Sequence, residues 1–123
     1  MHILKTTMII LSISVTSITY AASLSCKGTV EQVAYHADNR FMVKLSSMNR
    51  PVFFCNPEQE WSVTGTNYKT GPETCKMLYS TLLTAKATKS EVDYIHFDGD
   101  AVPASCNDWK AWASANIRYI NVK

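Results

Sequence analysis

The chain has no pair of cysteines spaced as C-x-x-C, no His-Glu-x-x-His, no Gly-x-Ser-x-Gly and no phosphate-cradling glycine loop. Those absences remove the usual short signatures of zinc sites, zinc proteases, serine hydrolases of the elbow type and nucleotide-binding loops. Histidine is scarce: of three residues, His2 lies in the leader described below, so only His36 and His96 remain for acid–base chemistry. There is no run of like charge, no Gly/Ser linker and no internal repeat, and so nothing divides the chain into several domains. The apolar run Met8 to Val15 is too short to span a bilayer.

What is present first is an export signal. Met1-His2-Ile3-Leu4-Lys5 supplies a short basic start, the Met8 to Val15 run follows, and small residues stand at Ala21, Ala22 and Ser23. That order is the pattern of a secretory signal peptide. The expected organisation is a signal peptide over residues 1–22 and one domain over 23–123, secreted or periplasmic, with no membrane span after cleavage. An acylated Cys26 fits less well, because Leu24 sits one place too close to the cysteine and acylation would leave three cysteines unpaired. Lys5 is one of twelve Lys and Arg residues, so its removal leaves eleven against ten acidic residues. A net charge of +1 attracts no polyanion by bulk field.

All four cysteines, Cys26, Cys55, Cys75 and Cys106, fall in the mature part. An even count in a small exported domain predicts two disulfides rather than a metal site.

Periodicity predicts a mainly β domain with one helix. Cys26 to His36 and Arg40 to Leu45 are two β-prone segments joined at Asp38-Asn39, and Phe41, Val43 and Leu45 alternate with Met42 and Lys44. Asn49-Arg50-Pro51 turns the chain into a third strand, Val52 to Cys55, and Asn56 to Gly71 reads as a long loop. Thr74 to Thr88 reads as a helix, entered through a Thr70 or Gly71 cap, Pro72 and Glu73. Its Cys75, Leu78, Tyr79, Leu82 and Ala85 share one face. Val92 to Phe97 and Ile117 to Val122 are the last two strands, separated by an Asp98-Gly99-Asp100 turn and one helical turn capped by Asn107.

Three strands, a helix and two strands is the order of the five-stranded oligonucleotide/oligosaccharide-binding (OB) barrel, with the helix between the third and fourth strands. In that topology the fourth strand runs antiparallel to the first, which brings Cys26 toward Cys106 and leaves Cys55 to pair with Cys75 across the long loop. Each bridge would contribute about 2–4 kcal/mol to a small core.

Candidate chemistry is thin. His36 and His96 could form a ribonuclease-like acid–base pair, but two histidines far apart in sequence are more simply structural. Asp98-Gly99-Asp100 lacks the further oxygen ligands of a calcium loop, and no metal, cofactor or catalytic residue is assigned. Aromatic residues are the better candidates: Trp61 and Tyr68 in the long loop, Trp109 and Trp112 before the last strand. Flat amphipathic rings on loops stack on sugars or anchor partners. At least one of Trp109 and Trp112 is expected in the core, and Trp61 is expected to be exposed, since no apolar periodicity surrounds it.

The segments Val52-Phe53-Phe54-Cys55, Leu78-Tyr79-Ser80-Thr81-Leu82-Leu83 and Val92 to Phe97 resemble, in layout, the B subunits of bacterial toxins with one A and five B chains, of the subtilase-cytotoxin and pertussis-like types. The helix segment also looks like that of small exported bacterial proteins. The toxin resemblance implies a ring of five copies that binds cell-surface glycans. The resulting expectation is a non-catalytic exported binding module for a glycan, with an exported protein partner or enzyme inhibition as the alternative and nucleic acid excluded by charge and export.

Overall fold

A computed structural model describes residues 3, 9–16 and 22–123 of the protein. Most of the predicted signal peptide, residues 1–22, lies outside the described residues. The elements are β1 (Ser23–Tyr35), β2 (Phe41–Leu45), β3 (Val52–Cys55), α1 (Pro72–Thr88), β4 (Glu91–Asp98) and β5 (Asn116–Val122). They form one sheet in the order β3-β2-β1-β4-β5 with every neighbouring pair antiparallel.

β1 serves two partners. Its first half, from Ser23 to Thr29, pairs with β4, and its second half, from Val30 to Tyr35, pairs with β2. The ladder shifts register between Cys26 and Gly28, and Gly28 adopts φ 134°, a conformation that disfavours any side chain. A Cβ there would come within 2.1 Å of Ser46 Oγ. Glycine therefore allows the bend that lets one strand belong to both halves of the sheet.

The two sheet edges meet at Phe53. Its N–H donates to the Ala113 carbonyl at 3.0 Å, and its carbonyl accepts from the Ala115 N–H at 2.9 Å, a parallel bridge between Phe53 and Ser114. This bridge closes the sheet into the expected small OB-like barrel, with α1 between the third and fourth strands.

Both disulfides form as the topology predicts, Cys26–Cys106 with Cα atoms 5.8 Å apart and Cys55–Cys75 with 5.5 Å. The helix begins with Gly71 at the cap and Pro72 in its first turn, and it ends where Lys89 turns left-handed at φ 54°. Its buried face is Cys75, Leu78, Leu82 and Ala85, continuous with a core that holds Val43, Leu45, Val52, Phe54, Ile95 and Phe97. Tyr79 is half-buried and stacks on Phe41 at 4.2 Å. Among the described residues no helix is long and apolar enough to cross a membrane.

One predicted element is absent. The helical turn after Asn107 is replaced by turns in which Asn107 and Asp108 donate their N–H groups to the Ser105 hydroxyl and carbonyl. The reason lies downstream: Ala113 and Ala115 have to be extended to meet Phe53, and Trp112 at φ 60° cannot continue a right-handed helix.

The two leucines of α1 provide a test of the buried face. Leu82→Ala is expected to cost about 2–5 kcal/mol in urea unfolding of the oxidised protein. Leu83→Ala, at a position 41% exposed, is expected to change stability by less than about 0.5 kcal/mol; equal losses would place the helix face incorrectly.

Candidate binding face

The β1–β2 connection is a tight turn. His36 N–H donates to the Arg40 carbonyl at 2.8 Å, and Asn39, at φ 68°, occupies the left-handed position that asparagine tolerates. Asp38 organises the turn's side chains: its carboxylate lies 2.9 Å from His36 Nδ1 and accepts from Arg40 Nε at 2.6 Å. Desolvation pushes the Asp38 carboxyl up, but hydrogen bonds from Arg40 and His36, together with their charges, outweigh it and hold the group below its ordinary value.

Arg40 is thereby positioned with its guanidinium 4.0 Å over the ring of Phe53. Phe53 is fully buried under its neighbours. On it lies Trp112, near-parallel at 23° with ring centroids 6.1 Å apart, and His36 meets both rings edge-on. Trp112 itself is 68% exposed. Its left-handed backbone costs about 1–2 kcal/mol for a residue with a side chain. The closure of the barrel one residue later holds it there, so the indole is presented outward on a rigid base.

One hollow borders this indole, and a second adjoins the first at Arg50 and Ala111. A groove of about 160 Å³ lies between Trp112, Met42, Arg50, Pro51 and Ala111. A larger cleft of about 860 Å³ shares Arg50 and is bordered by Asn49, Asp100, Asp108, Trp109 and Lys110. Asn49 joins the two cleft walls by a reciprocal pair of hydrogen bonds, donating to the Trp109 carbonyl at 2.9 Å and accepting its N–H at 2.8 Å. Arg50 and Lys110 have no ion pair among the described residues. In OB barrels the β2–β3 face with the β1–β2 and β4–β5 connections is where oligosaccharides and oligonucleotides bind. His36, Asp38, Arg40, Phe53 and Trp112 occupy that place here, and Arg50 adjoins it from the β2–β3 connection.

The four aromatic candidates separate. Trp112 and Tyr68 are exposed, but Tyr68 has Arg118 at 4.5 Å over its ring, away from the packing of Trp112 on Phe53 and His36. Trp109 is core, 2% exposed and edge-on to Phe97. Trp61 corrects the expectation of exposure: it is 9% exposed, and its Nε1–H donates to the Ala115 carbonyl at 3.1 Å. The loop ends are tied by the Cys55–Cys75 bridge and by paired backbone bonds between Trp61 and Thr70, which turn the ring inward. His36 and His96 have separate hydrogen-bond partners and do not form an acid–base pair. Among the described residues no group of three or more His, Cys, Asp or Glu side chains is placed to hold a metal ion.

Arg40, Arg50 and Phe53 were not marked as site residues by sequence patterns. In the sequence Arg40 is the start of a strand, Arg50 is part of a turn and Phe53 lies within the third strand. Comparisons with protein-family models, curated proteins and solved structures gave no match.

Because the folded-state pKa of Asp38 is lowered, its contribution to the turn is complete above its unfolded-state pKa and is lost as pH falls through the folded one. NMR titration of the Asp38 carboxyl is expected to give a midpoint below 3.8, moving upward in Arg40→Ala. A midpoint indifferent to that substitution contradicts the role given to Arg40.

Proposed function

We propose that the protein is an exported binding module that holds a cell-surface glycan on the β2–β3 face, with Trp112 as the stacking platform. The observation that carries this reading is an indole 68% exposed on a strained, left-handed backbone. A large apolar ring held outward at a conformational cost is suited to a ligand with a flat apolar face, and the pyranose ring is one. Polar groups suit its hydroxyls: Arg50 borders the groove at the indole, and Asp100, Asp108 and Lys110 line the adjoining cleft.

A polyanionic nucleic acid is a poorer fit. Asp38 stands at this face and Asp100 and Asp108 line the adjoining cleft, and the mature chain carries almost no net positive charge. The alternative of an enzyme inhibitor that inserts residues 56–71 has less support, because Trp61, its largest side chain, is committed to the core. The layout-level resemblance to toxin B subunits adds a ring of five copies to the proposal, which light scattering on the oxidised protein tests directly.

On a broad glycan array the oxidised protein is expected to bind a defined subset of sugars. Trp112→Ala should lose at least tenfold in affinity, about 1.4 kcal/mol or more, while Tyr68→Ala stays within about twofold of the parent. Absence of any array signal, or equal binding by Trp112→Ala, would overturn the assignment.

A further inference from the structure

The β1–β4 ladder places a serine, a histidine and a carboxylate in line, away from the contacts of the Trp112 face. Ser25 and His96 are cross-strand partners, and Ser25 Oγ lies 3.0 Å from His96 Nδ1. His96 Nε2 lies 3.1 Å from Asp98 Oδ1, two residues further along β4. The gradient of exposure runs in the same direction: Ser25 is exposed, the His96 side chain is 27% accessible and that of Asp98 only 6%.

The protonation pattern follows from the partners. A carboxylate only accepts, so its contact with Nε2 requires the proton on that nitrogen. In the neutral ring Nδ1 is then the acceptor, and Ser25 donates to it. This is the hydrogen-bond order of a serine nucleophile, a histidine base and an orienting carboxylate, with the two ring nitrogens exchanged relative to the common arrangement. Asp98 Oδ2 has no hydrogen-bond partner among the described residues, and Arg118 Nη1 stands 3.9 Å from it. The Cys26–Cys106 bridge adjoins Ser25, and the Cys106 sulfur is 3.4 Å from the Ser25 carbonyl, which anchors the start of the strand.

We propose that Ser25 is an activated nucleophile, with His96 as its base and Asp98 as a positioning residue, and that its substrates are carboxylic esters. A nucleophile here departs from the sequence expectation of a module without catalytic residues. Ser25 Oγ bonds to the acyl carbon as its proton passes to His96 Nδ1, and the ester C–O bond breaks with that proton leaving on the alcohol. Water, deprotonated by the same nitrogen, then releases the acid and restores Ser25. The sum is ester plus water giving acid plus alcohol, with no redox partner or metal. Exposure of Ser25 leaves the acyl carbon free to approach from solvent.

The test is p-nitrophenyl acetate turnover by the oxidised protein, alongside intact-mass and peptide mapping after reaction with a fluorophosphonate. The expected result is one adduct, on Ser25, and p-nitrophenol release at least tenfold above that of Ser25→Ala. His96→Gln should abolish the pH dependence of release. Asp98→Asn, checked for folding by circular dichroism, should slow release and alter its pH profile while leaving Ser25 present. Parent and Ser25→Ala rates that coincide, labelling at another residue, or no adduct would each overturn the proposal. Glycan binding through Trp112 is unaffected by Ser25→Ala, so the two readings stand or fall separately.

Discussion

Two backbone hydrogen bonds at Phe53 are the constraint on which most of the molecule depends. They join β3 to the segment entering β5 and turn an open five-stranded sheet into a barrel. The adjoining residues inherit their environments from that junction. Trp112, one residue before Ala113, is forced outward through a left-handed turn, whereas Trp109 is drawn inside against Phe97. The carbonyl of Ala115, left free by the bridge, accepts the Trp61 indole and so ties the long loop to the same place. Thr70 adds a buried bond from its hydroxyl to Asn116 one residue later. A buried backbone group without a partner costs about 1–3 kcal/mol, and so these closures are satisfied together or not at all.

The disulfides act on the parts that this junction does not reach. In a domain of this size the core is modest, and cross-links add to it. Cys26–Cys106 spans 80 residues and binds the first strand to the β4–β5 connection, and Cys55–Cys75 closes the loop against the start of α1. Both restrict the unfolded chain, and Cys26–Cys106 also tethers the β4–β5 connection that carries Trp112. A ligand that meets loops already ordered pays little conformational entropy on binding.

The two candidate sites show different ways in which a small barrel can carry chemistry. On the β2–β3 face, groups distant in sequence, from the β1–β2 turn and the β4–β5 connection, converge on a single buried phenyl ring. On the β1–β4 ladder, pairing between neighbouring strands alone sets Ser25 opposite His96, and the alternation of the strand sets Asp98 on the same side. The first depends on closure of the barrel, and the second depends on register within one pair of strands.

Much of the architecture was legible because it is written locally. The alternation of Phe41, Val43 and Leu45, the helical spacing of Cys75, Leu78, Leu82 and Ala85, and the Pro72 entry each report a face or a boundary within a few residues. With the strand order in hand, only one disulfide pairing matched the topology. What the sequence could not specify was the fate of the loop aromatics. Trp61 and Trp112 sit in similarly irregular stretches, and yet one ring is buried and the other exposed. No local period distinguishes them, since the difference arises from which residues meet Phe53 across a separation of about sixty positions. Sequence by itself determined the five strands and the long helix, their order and the two bridges; tertiary closure decided which rings face solvent and replaced the helical turn after Asn107, because exposure is a property of the assembled surface and not of the segment that bears the ring.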